Sequence, residues 1–243
     1  MSRQPPATTS RLQPAAGAAK RPPVPARYET LVRPLLIGLA AVLLALAFAH
    51  LGSEILDRET ETFDMSVLHR AQTLRTDHPW ISDVMRDISG LGSTTVLTLF
   101  TVATVGYLLL IAVRITALVL GSAVIAGSVL VSVFKAAFGR LRPDPAFAEL
   151  VAQGLSFPSG HASMAAIVFL TIGALTASTR ARLAERMFIL GTAAVFTLLV
   201  GLSRVALGVH WATDVLGGWT YGTAWALAWL LIARRLSRRG ASA

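Results

Sequence analysis

Six apolar stretches, each close to the length of a bilayer-spanning helix, leave this chain few folds to choose from. They cover residues 35–51, 96–113, 115–134, 162–179, 187–202 and 215–233. A helix needs ~20 mainly apolar residues to cross ~30 Å of hydrocarbon. Within that layer every backbone polar group must be paired inside the element. The fifth stretch is the shortest and is expected to run on through Ser203 and Arg204. The expected fold class is therefore all-α, an integral-membrane six-helix bundle over residues 31–236. A chain that is 54% hydrophobic and only 14% charged fits that reading and not a soluble domain.

The ends differ in character. Residues 1–30 hold Pro5, Pro6, Pro14, Pro22, Pro23 and Pro25 among alanines and arginines, a composition that cannot bury a core. They are expected to form a disordered cytoplasmic tail, and 237–243 a short basic one. The segment 52–92 is polar. Phe63, Val67, Ala71 and Leu74 recur at helical spacing, as do Trp80, Val84 and Ile88. Two amphipathic helices are expected there, either lying on the extracytoplasmic membrane surface or capping the bundle. The net charge of +9 is explained by membrane orientation rather than by nucleic acid. With both termini inside, Arg3, Arg11, Lys20, Arg21, Arg27, Arg33, Arg114, Arg180, Arg182, Arg186, Arg234, Arg235, Arg238 and Arg239 are cytoplasmic, 14 of 22 basic residues. Only Glu29 and Glu185 of 13 acids join them.

That topology brings three polar stretches to one membrane face: Lys135 to Arg142-Pro143; Pro158-Ser159-Gly160-His161; and Ser203-Arg204 followed by His210 and Asp214. Polar groups at membrane depth are costly and mark function. Gly139 lets the third span stop in a left-handed turn, and Pro143 keeps Arg142 out of helix. Arg142 offers a planar fork for phosphate oxygens and Lys135 a compact charge. Ser159 is placed to N-cap the fourth span, and Gly160 to let backbone amides approach an anion. His161 would stand beside that anion, able to protonate a leaving oxygen. His210 and Asp214, four apart, would meet on one helical face. A carboxylate on one ring nitrogen frees the other to attack phosphorus. Arg204 adds a third cation. Taken singly, each stretch also fits a snorkelling cation, an ordinary helix start or a structural His–Asp pair. Together they fit phosphoryl transfer, which depends on positioning and cationic stabilisation. The nearby acids Asp144, Glu149 and Asp214 are scattered rather than gathered for a metal. With no cysteine, thiol chemistry is excluded.

The set Lys135-x6-Arg142-Pro143, Pro158-Ser159-Gly160-His161 and Ser203-Arg204-x5-His210-x3-Asp214 resembles the three-part signature of the type 2 phosphatidic acid phosphatase (PAP2) superfamily, over residues 93–233. The resemblance implies a bacterial inner-membrane lipid phosphatase with no metal or cofactor. Its substrates would be phosphatidate, phosphatidylglycerophosphate or undecaprenyl pyrophosphate. It implies His210 as the nucleophile of a phosphohistidine, Asp214 as its orienting partner and His161 as acid and then base. Lys135, Arg142, Ser159, Gly160 and Arg204 would hold the phosphate, on the periplasmic side. Passing the phosphoryl group to another lipid or sugar is the alternative reading. A transporter is a remote one, because these charges sit at one face and not at the midplane. Soluble haloperoxidases share the signature, but six spans argue against one.

Overall fold

The structure, a computed structural model, describes residues 27–240. The expected tail at 1–30 falls largely outside them, and its last four residues already belong to the first helix. The helices are α1 (Arg27–Leu56), α2 (Glu61–Asp77), α3 (Trp80–Leu91), α4 (Thr94–Leu110), α5 (Arg114–Phe138), α6 (Gly160–Ala165), α7 (Thr171–Ser178), α8 (Leu183–Ala206) and α9 (Ala212–Gly240). One π turn, Ala166–Leu170, joins α6 to α7. Six of the resulting spans are long and apolar enough to cross a bilayer.

The second span differs from its expected bounds. α3 and α4 form one apolar run, Trp80–Leu110, broken only at Gly92 and Ser93. Ser93 is extended there and its Oγ accepts the Val96 N–H (3.3 Å), so it caps α4. A run of 31 residues exceeds what the hydrocarbon needs. Of the segment 52–92, therefore, 61–77 alone form a separate helix.

Both polar-segment helices turn the opposite face inward from the one their apolar spacing suggests. Phe63, Leu74, Trp80 and Val84 are exposed, while Asp64, Leu68 and Arg75 of α2, and Ile81, Ser82 and Ser89 of α3, are buried. Burying apolar groups drives a helix inward only when the outside is water. Beside a membrane the apolar face has another home, and the polar face is free to bond to the protein. The same inversion marks α1, whose Leu35, Leu36, Leu39, Leu43 and Leu46 all face outward.

α9 is the hub, packing on α1, α5 and α6, and α8 flanks α6. Two glycines one turn apart on α9 let α6 come close. A Cβ at Gly218 would stand 3.0 Å from the Ser159 carbonyl oxygen, and one at Gly222 would stand 2.6 Å from that of Ser163. Small residues four apart commonly make such backbone approaches in membranes. Beneath them Phe157 is fully buried and stacks on Phe48 (5.5 Å) with Phe138 edge-on (4.8 Å). This aromatic wedge seats the loop before α6 directly against the start of α9.

Candidate active site

The three polar stretches meet at one end of the bundle. α5 ends as expected, with Gly139 left-handed (φ 60°) and its N–H on the Lys135 carbonyl (3.0 Å). Lys135 Nζ donates to the carbonyls of Leu155 (2.7 Å) and Ser156 (3.1 Å), pulling in the loop that leads to Ser159. Arg142, irregular before Pro143, donates through Nε to Gly154 O (3.0 Å) and through Nη1 to Val209 O (2.8 Å). The same Nη1 lies 3.1 Å from His210 Nε2.

His210 and Asp214 do pair, but not on a common helical face. α9 begins at Ala212, so His210 precedes it, in a turn set by Gly208 (φ 70°). A side chain at 208 would collide with the Phe147 carbonyl, 2.0 Å from the Cβ position. Asp214, in the first turn of α9, reaches back. Its Oδ2 accepts the Trp211 N–H (3.0 Å) and meets His210 Nδ1 (3.1 Å). An acid in the first turn that bonds the amide before the helix is half of a capping box. Here the same oxygen also orients the histidine. Nδ1 donates to Asp214 and Nε2 accepts from Arg142, so the ring's lone pair lies on Nε2 and faces the guanidinium. Burial pushes the His210 pKa down to about 4. The hydrogen bond and charge of Asp214 oppose that shift, and Arg142 and Lys135 add to it. The ring is neutral at neutral pH. Arg142 is also pushed below its ordinary value by burial, with Asp214 acting against the shift.

Ser159 occupies the residue before α6 but makes no side-chain cap. Its N–H instead donates to the Asp214 carbonyl (2.9 Å), tying the second stretch to the third. Arg204, on the last turn of α8, is steered by Ser89 of α3, whose Oγ accepts from Nη1 (2.6 Å). Ser159 Oγ and Arg204 Nε are both buried with no hydrogen-bond partner. Such groups are costly unless a ligand completes them, and two of them belong to the expected phosphate cradle. His161 is half-buried and lies in the electrostatic reach of Arg204, His210, Arg142 and Lys135. Gly160 has no crowded neighbour: a Cβ there would meet Lys135 Cε at an ordinary 3.9 Å. The geometry thus gathers Lys135, Arg142, Ser159, Gly160, His161, Arg204, His210 and Asp214.

A cavity of about 850 Å³ opens beside His161, Lys135 and Gly160 and continues between α4 and α5 along Leu97, Val105, Val124 and Ser128. Four residues of the site's surroundings were not singled out in the sequence. Arg140 bonds Asp214 Oδ1 (2.8 Å) and Asp64 Oδ2 (2.6 Å), Thr213 bonds Asp64, and Ser156 Oγ lies 3.4 Å from Asp214. Arg140 had a visible signal, since it sits inside the first stretch between Lys135 and Arg142. Asp64 had none, being one acid among several in a polar segment.

Residues 116–238 match the PAP2 superfamily. The chain belongs to it. Among its relatives is phosphatidylglycerophosphatase B of Bacillus subtilis, 34% identical over 187 residues, which are 74% of this chain and 88% of that one. An undecaprenyl-diphosphatase of Sulfolobus acidocaldarius is 36% identical over 100 residues, 39% of this chain and 44% of the relative. The fold is similar to the crystal structure of a transmembrane PAP2-type phosphatidylglycerolphosphate phosphatase from Bacillus subtilis. The TM-score is 0.71 at 30% identity, covering 82% of this chain and 96% of that one. This chain is a bacterial multi-pass membrane phosphatase, a phosphoric ester hydrolase of the lipid-phosphatase class.

Proposed function

We propose that the chain hydrolyses lipid phosphates or pyrophosphates of the phosphatidate, phosphatidylglycerophosphate or undecaprenyl pyrophosphate type through a phosphohistidine at His210, facing the periplasm. One observation carries the assignment: His210 Nδ1 lies 3.1 Å from Asp214 and Nε2 lies 3.1 Å from the Arg142 guanidinium, in a buried setting that favours the neutral ring. A phosphate bound by Arg142 would lie where Nε2 can reach phosphorus. Nε2 forms a bond to phosphorus as the ester oxygen leaves, and His161 gives that oxygen its proton. Positive charge grows on the imidazole and is stabilised by Asp214. Water then breaks the P–N bond, passing a proton to His161 and releasing inorganic phosphate. Lys135, Arg204, Arg142, the unpartnered Ser159 hydroxyl and the Gly160 amide stabilise the equatorial oxygens. The apolar cavity between α4 and α5 supports sideways entry, with the acyl chains left in the bilayer. The arginine-rich ends of residues 114, 180–186 and 234–239 support cytoplasmic termini.

The test is a rapid quench of purified protein with labelled phosphatidylglycerophosphate. An acid-labile, alkali-stable phosphoryl adduct is expected on the native chain and not on His210→Ala. Normal turnover by His210→Ala would remove the nucleophile assignment.

A further inference from the structure

α2 lies outside every sequence motif, yet one of its faces buries two opposite charges. Asp64 and Arg75 are eleven residues apart, three helical turns or about 16 Å, with Leu68 buried between them. Buried charges are costly unless partnered, so their partners reveal what the face does. Asp64 Oδ1 accepts the Thr213 N–H (2.9 Å), and Oδ2 accepts Thr213 Oγ1 (2.6 Å) and Arg140 Nη2 (2.6 Å). It thereby satisfies a first-turn amide of α9 from a different helix. At the other end Arg75 donates to the carbonyl of Ala206, the last residue of α8, and to Phe147 O (2.8 Å). The two anchors straddle residues 207–211, the segment that carries His210.

Arg140 connects this strut to the chemistry. Nη2 is bonded to Asp64, while Nη1 donates to Asp214 Oδ1 (2.8 Å) and Thr213 Oγ1 (2.7 Å). The guanidinium also lies 5.5 Å over the Trp211 ring. The other Asp214 oxygen holds His210. Asp64, Arg140, Asp214 and His210 form one continuous chain of side chains, each link 3.1 Å or shorter.

We propose that Asp64 and Arg140 are positioning residues for the His210–Asp214 pair, with α2 as the strut that holds them, and that Arg140 moderates the negative charge His210 receives from Asp214. The inference rests on His210 acting as the nucleophile. A carboxylate bonded on both oxygens cannot swing away from the imidazole, which keeps Nε2 aimed at phosphorus. The charge balance at His210 is set by several elements. Asp214 comes from α9, Arg142 and Arg140 from the loop after α5, Lys135 from α5, His161 from α6, Arg204 from α8 and Asp64 from α2. Removing Arg140 strengthens the pull of Asp214 on a proton at His210. Removing the Asp64 charge leaves Arg140 to Asp214 alone and weakens that pull.

The experiment follows kcat and KM against pH for the full chain in detergent micelles, with dioctanoyl phosphatidic acid as the probe. In Arg140→Gln the acid limb of kcat/KM should move up by roughly one pH unit. kcat should drop about 10- to 100-fold with little change in KM. Asp64→Asn should move the limb down, and Arg140→Lys should bring it back toward native. Should Arg140→Gln not fold, Asp64→Asn/Arg140→Gln removes the Asp64 charge together with its partner and should shift the limb upward. An acid limb at its native position in the folded double variant overturns the proposal, whatever happens to kcat. His210→Ala run alongside separates the two failures: a dead His210→Ala with an unmoved limb refutes the positioning role alone, while an active one refutes the nucleophile.

Discussion

Replacing Asp214 by Asn tests the reaction through its most buried charge. Asp214 is fully buried and offers two oxygens to four donors: His210 Nδ1, the Trp211 N–H, Arg140 Nη1 and Ser156 Oγ. An amide cannot replace it in either orientation. With its oxygen toward His210, its NH₂ faces the Arg140 donor. Turned the other way, the NH₂ meets the Trp211 N–H and forces the proton of His210 onto Nε2, which removes the lone pair. The electrostatic loss can be sized. As Nε2 attacks, the ring becomes cationic beside a carboxylate oxygen 3.1 Å from Nδ1. Two unit charges about 4 Å apart interact by ~4 kcal/mol at an effective dielectric of 20. At about 1.4 kcal/mol per decade that is ~10³-fold in rate. The loss should fall on kcat, because the cations that hold phosphate keep their places and KM should change by no more than about threefold. Phosphate release from dioctanoyl phosphatidic acid by the purified variant, with size-exclusion and circular-dichroism checks of folding, measures both constants. A folded Asp214→Asn enzyme with kcat within ~10-fold of native would refute the reasoning, since no charge of that size could then be at work.

Other outcomes follow from the same geometry. The His210 pKa of about 4, against about 6.5 in an unfolded chain, places the acid limb of kcat/KM well below the ordinary histidine range; a limb near 6.5 would contradict a buried His210. The sign for stability is the same: between pH 6.5 and 4 the unfolded chain binds the extra proton, so this contribution is intact above 6.5 and lost as pH falls toward 4, which thermal melts across that window would register. Gly222→Ala places a methyl 2.6 Å from the Ser163 carbonyl and should destabilise by about 1–3 kcal/mol, read as a lower melting temperature; no change would show that α6 can back away. Gly121 lines the cavity between α4 and α5 with no atom near its Cβ position, so Gly121→Trp should block long-chain lipids while sparing a water-soluble phosphate ester; equal loss on both would count against sideways entry.

Much of this protein was legible along the chain. Membrane spans announce themselves by local hydropathy, because the bilayer imposes a minimum apolar length on each one separately. The polar residues that the structure gathers at one end of the bundle stood out by type and order, since such side chains are rare among membrane spans. The left-handed stop at Gly139 and the turn at Gly208 also follow from local chemistry. Tertiary structure decided the rest. His210 meets Asp214 from a turn and not from a helical face, because α9 starts two residues later than the spacing suggests. The inward faces of α2 and α3 could not be read from periodicity, since lipid accepts the apolar face that water would have driven inside. Asp64 and Arg140 stand 76 residues apart, and Arg75 and Ala206 stand 131 apart. No local pattern records such pairs; only the packing of α2 on α8 and α9 brings that helix over the loop that carries His210.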